Sequence, residues 1–194
     1  FYFSPSVSGF QGAVGYSTRR DSSEVAGSSN NERAVSAGLR YRNGPLMAVL
    51  TYDQARPSDS TKTATTDETI KNVSLGATYD FGVVKAHLGY GQLKNRSFKD
   101  SADTERAWLV GLSAPIGTAG KLMATYQRVN DARNANEFGA TYDDNRSGFA
   151  VVYDHGLSKR TSLYAYASQY SNAVANGTKL GDKTEFAVGM RHSF

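Results

Sequence analysis

Ten stretches of this chain alternate apolar with polar or small residues: 9–18, 33–43, 45–54, 70–81, 83–94, 106–116, 121–129, 146–155, 160–171 and 183–194. A period of two belongs to the β-strand, whose successive side chains leave opposite faces of a sheet. In 70–81 the apolar set is Val73, Leu75, Ala77, Tyr79 and Phe81, against Asn72, Ser74, Gly76, Thr78 and Asp80. In 83–94 Val84, Ala86, Leu88 and Tyr90 stand against Lys85, His87, Gly89 and Gly91, and in 33–43 Val35, Ala37, Leu39 and Tyr41 against Ser36, Gly38, Arg40 and Arg42. The stretches are nine to twelve residues long. A common globular strand has about five to six residues, whereas a tilted strand crossing a bilayer needs about 9–11.

The connections alternate too. Short turns at 43–45, 82, 117–120 and 156–159 take turns with long segments at 19–32, 55–69, 95–105, 131–145 and 172–182. The long ones are rich in Ser, Thr, Asn, Asp and Lys. Hairpins with short turns on one side and long loops on the other follow the plan of an outer-membrane barrel. A soluble sandwich would also alternate. Strand length, a glycine-rich charged face and the strict order of loop lengths favour the membrane barrel. Only 39% of the residues are apolar, and the 12 Tyr and 9 Phe suit strands better than helices. Tyr recurs near stretch ends (Tyr16, Tyr41, Tyr52, Tyr79, Tyr90, Tyr126, Tyr153), as in an interfacial girdle. Trp108 shares an outward face with Val110, Leu112, Ala114 and Ile116. Two stretches stay open as to which face is inner: 160–171 has Tyr164 and Tyr166 against Leu163, Ala165 and Ala167, and 45–54 would turn Met47 and Val49 inward.

Several classes fall away. There is no cysteine, hence no disulfide framework and no Cys-based metal site. No run of 18 apolar residues suggests a membrane-crossing helix, and no basic n-region precedes an apolar stretch at the start. The net charge of +4 is too diffuse for a nucleic-acid partner. Residues 117–122, GTAGKL, have the wrong spacing for a phosphate loop and read as a tight turn. His87, His155 and His192 lie in separate stretches without zinc spacing, and no GxSxG elbow occurs. No catalytic residue, metal or cofactor is therefore expected. Asp143–Asp144 and the acidic segment 100–105 lack the EF-hand pattern and read as solvated loop. The sequon at 176–178 is discounted, because the plan of an outer-membrane barrel points to a bacterial cell.

The terminal VGMRHSF, the turn YDHGLSKRT at 153–161, LGATYDFG at 75–82, GYGQ at 89–92 and the opening SPSVSGFQGAVGYS at 4–17 resemble the general porins of Gram-negative β-proteobacteria, the Neisseria, Burkholderia and Comamonas type. The LSKRT turn followed by the RHSF end carries most of this resemblance. It implies an antiparallel 16-stranded transmembrane barrel, a homotrimer in the outer membrane, and passive diffusion of small ions and hydrophilic solutes. About 19 residues per strand would make sixteen strands roughly 300 residues long. The 194 residues here then correspond to one C-terminal barrel portion, about ten strands plus a remnant at 1–3. The family's first strands and its constriction loop would lie before Phe1. Alone, such a portion would leave two sheet edges with unpaired backbone groups, at several kcal/mol each in hydrocarbon.

On this reading the pore-lining basic residues are Arg40, Arg42, Lys85 and Arg191, the acidic ones Asp80 and Glu185, with His87 as a further, pH-dependent member. The basic set points to a modest anion preference. The expected partners are outer-membrane lipid, lipopolysaccharide and the outer-membrane assembly machinery, which in this family reads a terminal Phe; here that is Phe194. Residues 183–194 read as a strand to the end, with Phe186, Val188, Met190 and Phe194 toward lipid and His192 near the headgroups. The alternative function is a barrel acting mainly as adhesin or phage receptor through its long loops. Conductance separates the two, because loop deletion would abolish only binding.

Overall fold

The computed structural model describes residues 1–18, 33–56, 69–95, 104–131, 145–175 and 178–194. Eleven strands make up the described secondary structure: β1 (Tyr2–Phe3), β2 (Phe10–Ser17), β3 (Arg33–Asn43), β4 (Leu46–Arg56), β5 (Ile70–Asp80), β6 (Lys85–Lys94), β7 (Thr104–Ile116), β8 (Gly120–Asp131), β9 (Arg146–Gly156), β10 (Thr161–Ala175) and β11 (Thr178–His192). They form one sheet in chain order, and consecutive strands run antiparallel. From β3 onward the strands have 10 to 15 residues. At about 3.3 Å per residue and a tilt of about 45°, eleven residues rise roughly 25 Å, the height of the apolar band of an outer-membrane barrel.

Hairpin chemistry explains the turns. Gly44 and Gly82 have φ of 52° and 87°, the left-handed region where a Cβ is penalised. At the second of these turns the Asp80 side chain accepts a hydrogen bond from the Gly82 N–H at 2.9 Å. The β9–β10 turn closes through Leu157 and Ser158, whose N–H groups both reach the Thr161 carbonyl.

Two sequence expectations are corrected. The connection expected at 172–182 is largely strand: β10 continues to Ala175 and β11 starts at Thr178, with register shifts between Tyr170 and Val174. Gly181 is carried in this hairpin as the register partner of Ala173, and Asn172 falls in the register shift. At the other end of β11 the strand stops at His192, so Phe194 is not a strand residue. Its ring sits edge-on to His192 at 5.0 Å and is fully exposed. The segments 19–32, 57–68, 96–103, 132–144 and 176–177 lie outside the described residues, and with them most of the long loops, Asp143–Asp144 and most of the acidic stretch and the sequon.

Contacts divide the chain into two compact units, Phe1–Ala77 with Tyr90–Arg106 and Asp131–Asp143, and Thr78–Gly89 with Ala107–Asn130 and Asp144–Phe194. In neither unit is a hydrophobic side chain buried among the described residues; the buried polar side chains are Ser113, Ser162 and Ser168. A soluble monomer of this size keeps its contiguous exposed apolar patches to a few hundred Å². Here Val35, Leu39, Leu50, Val73, Leu75, Leu88, Val110, Leu112, Phe149, Leu163, Phe186 and Val188 are all exposed. The hydrophobic face of each strand is exposed, with no second layer of described residues on it.

Candidate functional site

The ladders fix which residues share a face. In the first unit Gln11, Arg40 and Val49 are mutual register partners across β2, β3 and β4, as are Gly15, Ser36 and Asp53. Arg42 is opposite Met47. This settles the face of β4: Met47 and Val49 do share the side of the two arginines, while Leu46, Leu50 and Tyr52 join Leu39 and Ala37 on the apolar side. Asp53, which the sequence pattern had not singled out, accepts a hydrogen bond from the Ser36 hydroxyl at 2.6 Å. Arg40 and Arg42 are exposed and have no acidic partner among the described residues.

In the second unit the polar face holds the remaining candidates. Lys85 Nζ lies 3.2 Å from Asp80 Oδ2, beside the β5–β6 turn. His87 Nε2 is 3.0 Å from Ser113 Oγ, which joins β6 to β7 on this face. Gly111 allows the same close approach: a Cβ there would meet the Thr125 methyl at 3.2 Å and the His87 Cβ at 3.6 Å. Arg191 reaches Asp154 Oδ2 at 3.3 Å and the Ser162 hydroxyl at 3.3 Å. Lys121 is the register partner of the same Asp154 from the β8 side. The Tyr166 hydroxyl donates to Glu185 Oε1 at 2.6 Å.

Lys85 and Arg191 are thus partly neutralised by Asp80 and Asp154, and Arg40 and Arg42 are not. Arg40 and Arg42 fall in the first unit and the other five candidates in the second. Asp154 was missed because its stretch, YDHG, looks like the approach to a turn. Its parity with Arg146 and Gly148 was the available signal. The ambiguity in 160–171 also resolves. Tyr164, Tyr166 and Tyr170 pair with Gly189, Ala187 and Lys183 on the polar face, and Leu163, Ala165 and Ala167 pair with Met190, Val188 and Phe186 on the apolar face.

On the apolar side Trp108 and Tyr126 stack with ring centroids 5.3 Å apart. Phe10 and Tyr41 do so at 4.4 Å, and Tyr79 and Phe81 at 4.6 Å. The Phe10–Tyr41 and Tyr79–Phe81 pairs sit toward strand ends, where an amphipathic ring can meet both hydrocarbon and headgroup, whereas Trp108 and Tyr126 meet within β7 and β8. His192, also on this side, is bonded to the Thr161 hydroxyl through Nδ1 at 2.9 Å, which satisfies its polar edge.

A sequence profile of the Gram-negative porin family matches residues 1–175. The chain is 33% identical over its whole length to an outer membrane porin protein of Bordetella pertussis, of which it covers 56%. It is 28% identical to outer membrane porin protein 32 of Delftia acidovorans, of which it covers 55%. It therefore spans about half the length of these relatives. Among solved structures it superposes on a porin refined at 1.8 Å with a TM-score of 0.68 at 15% identity, covering 98% of this chain and 60% of that one. OmpT, an outer membrane protein of Vibrio cholerae, gives 0.69 at 18% identity, covering 98% and 62%. The profile, the relatives and the two-faced strands agree, and the chain belongs to the Gram-negative porin family, multi-pass β-barrels of the outer membrane.

Proposed function

We propose that the protein carrying this chain is a general diffusion porin, a water-filled channel for small hydrophilic solutes and ions with a modest anion preference. The observation that carries the channel reading is the division of every strand into an exposed apolar face and a polar face, with no buried hydrophobic side chain among the described residues. Lipid covers the first face and water wets the second. Arg40 and Arg42 support the anion preference, because no carboxylate among the described residues neutralises them, whereas Asp80 and Asp154 each hold a basic partner. Fixed positive charge on a wet wall raises the local anion concentration within a Debye length of about 8–10 Å.

The proposal extends to 1–194 as the C-terminal part of a single barrel domain, a homotrimer, contact with lipopolysaccharide in the outer leaflet, and Phe194 as the residue read by the assembly machinery. Its chemistry is non-enzymatic. The test is reconstitution of the full-length protein in a planar bilayer under a salt gradient. Ohmic steps with a reversal potential of anion-selective sign are expected. Absence of steps overturns the channel; a cation-selective sign overturns only the charge argument.

A further inference from the structure

The three tyrosines of β10 stand out on a face otherwise made of small and charged residues. Tyr164, Tyr166 and Tyr170 project from one strand at positions i, i+2 and i+6 on the polar side. At about 3.3 Å per residue they extend over roughly 20 Å of wall. Two of them lie down on glycine. The Tyr164 ring covers Gly189 of β11 so closely that a Cβ there would collide with its hydroxyl end, and a Cβ at Gly148 of β9 would lie 2.8 Å from the Tyr170 ring. Each ring therefore lies over a glycine of the next strand, where a side chain would displace it. Tyr170 remains 39% exposed.

Between Tyr166 and Tyr170 on the same face is Ser168, 4% exposed. The ionic groups beside the tyrosines come in both signs: Glu185 accepts from the Tyr166 hydroxyl, Arg191 pairs with Asp154, and Lys183 is the register partner of Tyr170. This surface is polar without being of one sign. It offers flat apolar rings flanked by hydrogen-bonding groups, as small-molecule sites do.

We infer that the Tyr164–Tyr166–Tyr170 stripe is a carbohydrate track, on which the apolar faces of the pyranose rings of a neutral oligosaccharide stack while its hydroxyls bond to Glu185 and Arg191. Sliding along rings in series lets a solute exchange one stacking contact for the next, so binding speeds passage as long as no single contact is tight. The inference rests on the porin reading, since the stripe needs a wetted face.

Two measurements on the full-length protein test it. Maltotriose and cellotriose are titrated into single channels, and the same sugars are titrated into detergent-solubilised protein in a calorimeter. Saturable block of the ion current and saturable heat are expected for at least one of the two. Tyr164→Leu and Tyr170→Leu, which still fill the space over the glycines but lack a flat ring, are each expected to raise the dissociation constant about tenfold, equivalent to about 1.4 kcal/mol. Tyr164→Phe and Tyr170→Phe keep the ring and are expected to stay within about twofold of the parent, well under that step. Ohmic channels that neither sugar blocks, or constants unchanged in the Leu variants, would overturn the track and leave the porin intact. Absence of channels would refute the porin reading, and the calorimetric arm would still decide whether the stripe binds sugar.

Discussion

Replacing Leu88 with arginine places a charge where the structure turns a side chain into hydrocarbon. Leu88 lies within β6, between His87 and Gly89, and is 58% exposed. Full burial of a leucine side chain is worth about 1.5–3 kcal/mol, so the part turned to lipid carries about 1–2 kcal/mol. Leu88→Ala should lose most of that part. Leu88→Arg adds the cost of a charge near the midplane of the lipid face, about 2–4 kcal/mol for a β-barrel. That is roughly a 30- to 700-fold change in the unfolding equilibrium. The control is one residue away. His87 points to the other face, where its ring bonds to Ser113 at 3.0 Å, and His87→Arg should lose no more than one hydrogen bond, about 0.5–1.5 kcal/mol. Equilibrium unfolding of the full-length protein from lipid vesicles in urea measures both. If Leu88→Arg and His87→Arg cost the same, the alternation of lipid and water along β6 is wrong.

Other expectations concern charge, packing and assembly. Replacing Arg40 and Arg42 together by Gln should move the reversal potential toward cation selectivity, and an unchanged potential would show that these arginines do not set it. Asp80→Asn frees Lys85 and should move the potential the other way, with little change in stability because the pair is exposed. Gly148→Val should destabilise by about 1–3 kcal/mol by pushing the Tyr170 ring off the wall, as read from the unfolding midpoint. Much of that cost should vanish in a Tyr170→Ala background. Deleting Phe194 should lower outer-membrane yield; an unchanged yield would leave the residue with no role in assembly.

Most of the fold was legible because the period of two survives in nearly every strand. In β5 the apolar series from Val73 to Phe81 leaves a single possible face, and the Gly44 and Gly82 turns punctuate the hairpins as their left-handed φ requires. Legibility failed where both faces carry bulky residues. In β10 the tyrosines are polar enough for a wet wall and apolar enough for lipid, so composition could not choose; the register to Gly189 and Gly148 does. In β4 the side of Met47 and Val49 followed only from their pairing with Arg42 and Arg40. The β10–β11 hairpin ran past its expected end because Ser, Asn and Gly report local preference, and the ladder overrides it.

The individual charges were legible as residues but not as pairs. Lys85 with Asp80 is nearly local and could be guessed from the turn. Arg191 with Asp154 joins positions 37 residues apart across an intervening strand, and periodicity carries no information about such a contact.

The central claim is that lipid and water alternate along each strand, and β3 offers the most direct measurement. The chain contains no cysteine, so a spin label introduced in it reports a chosen position. Labels at Val35, Ala37 and Leu39 and at Ala34, Ser36 and Arg40 would be compared in the full-length protein in vesicles, by collision with oxygen and with a water-soluble nickel chelate. Oxygen should relax the first set more strongly and the nickel chelate the second, with a period of two. Equal nickel accessibility at both sets, or the opposite phase, would contradict it.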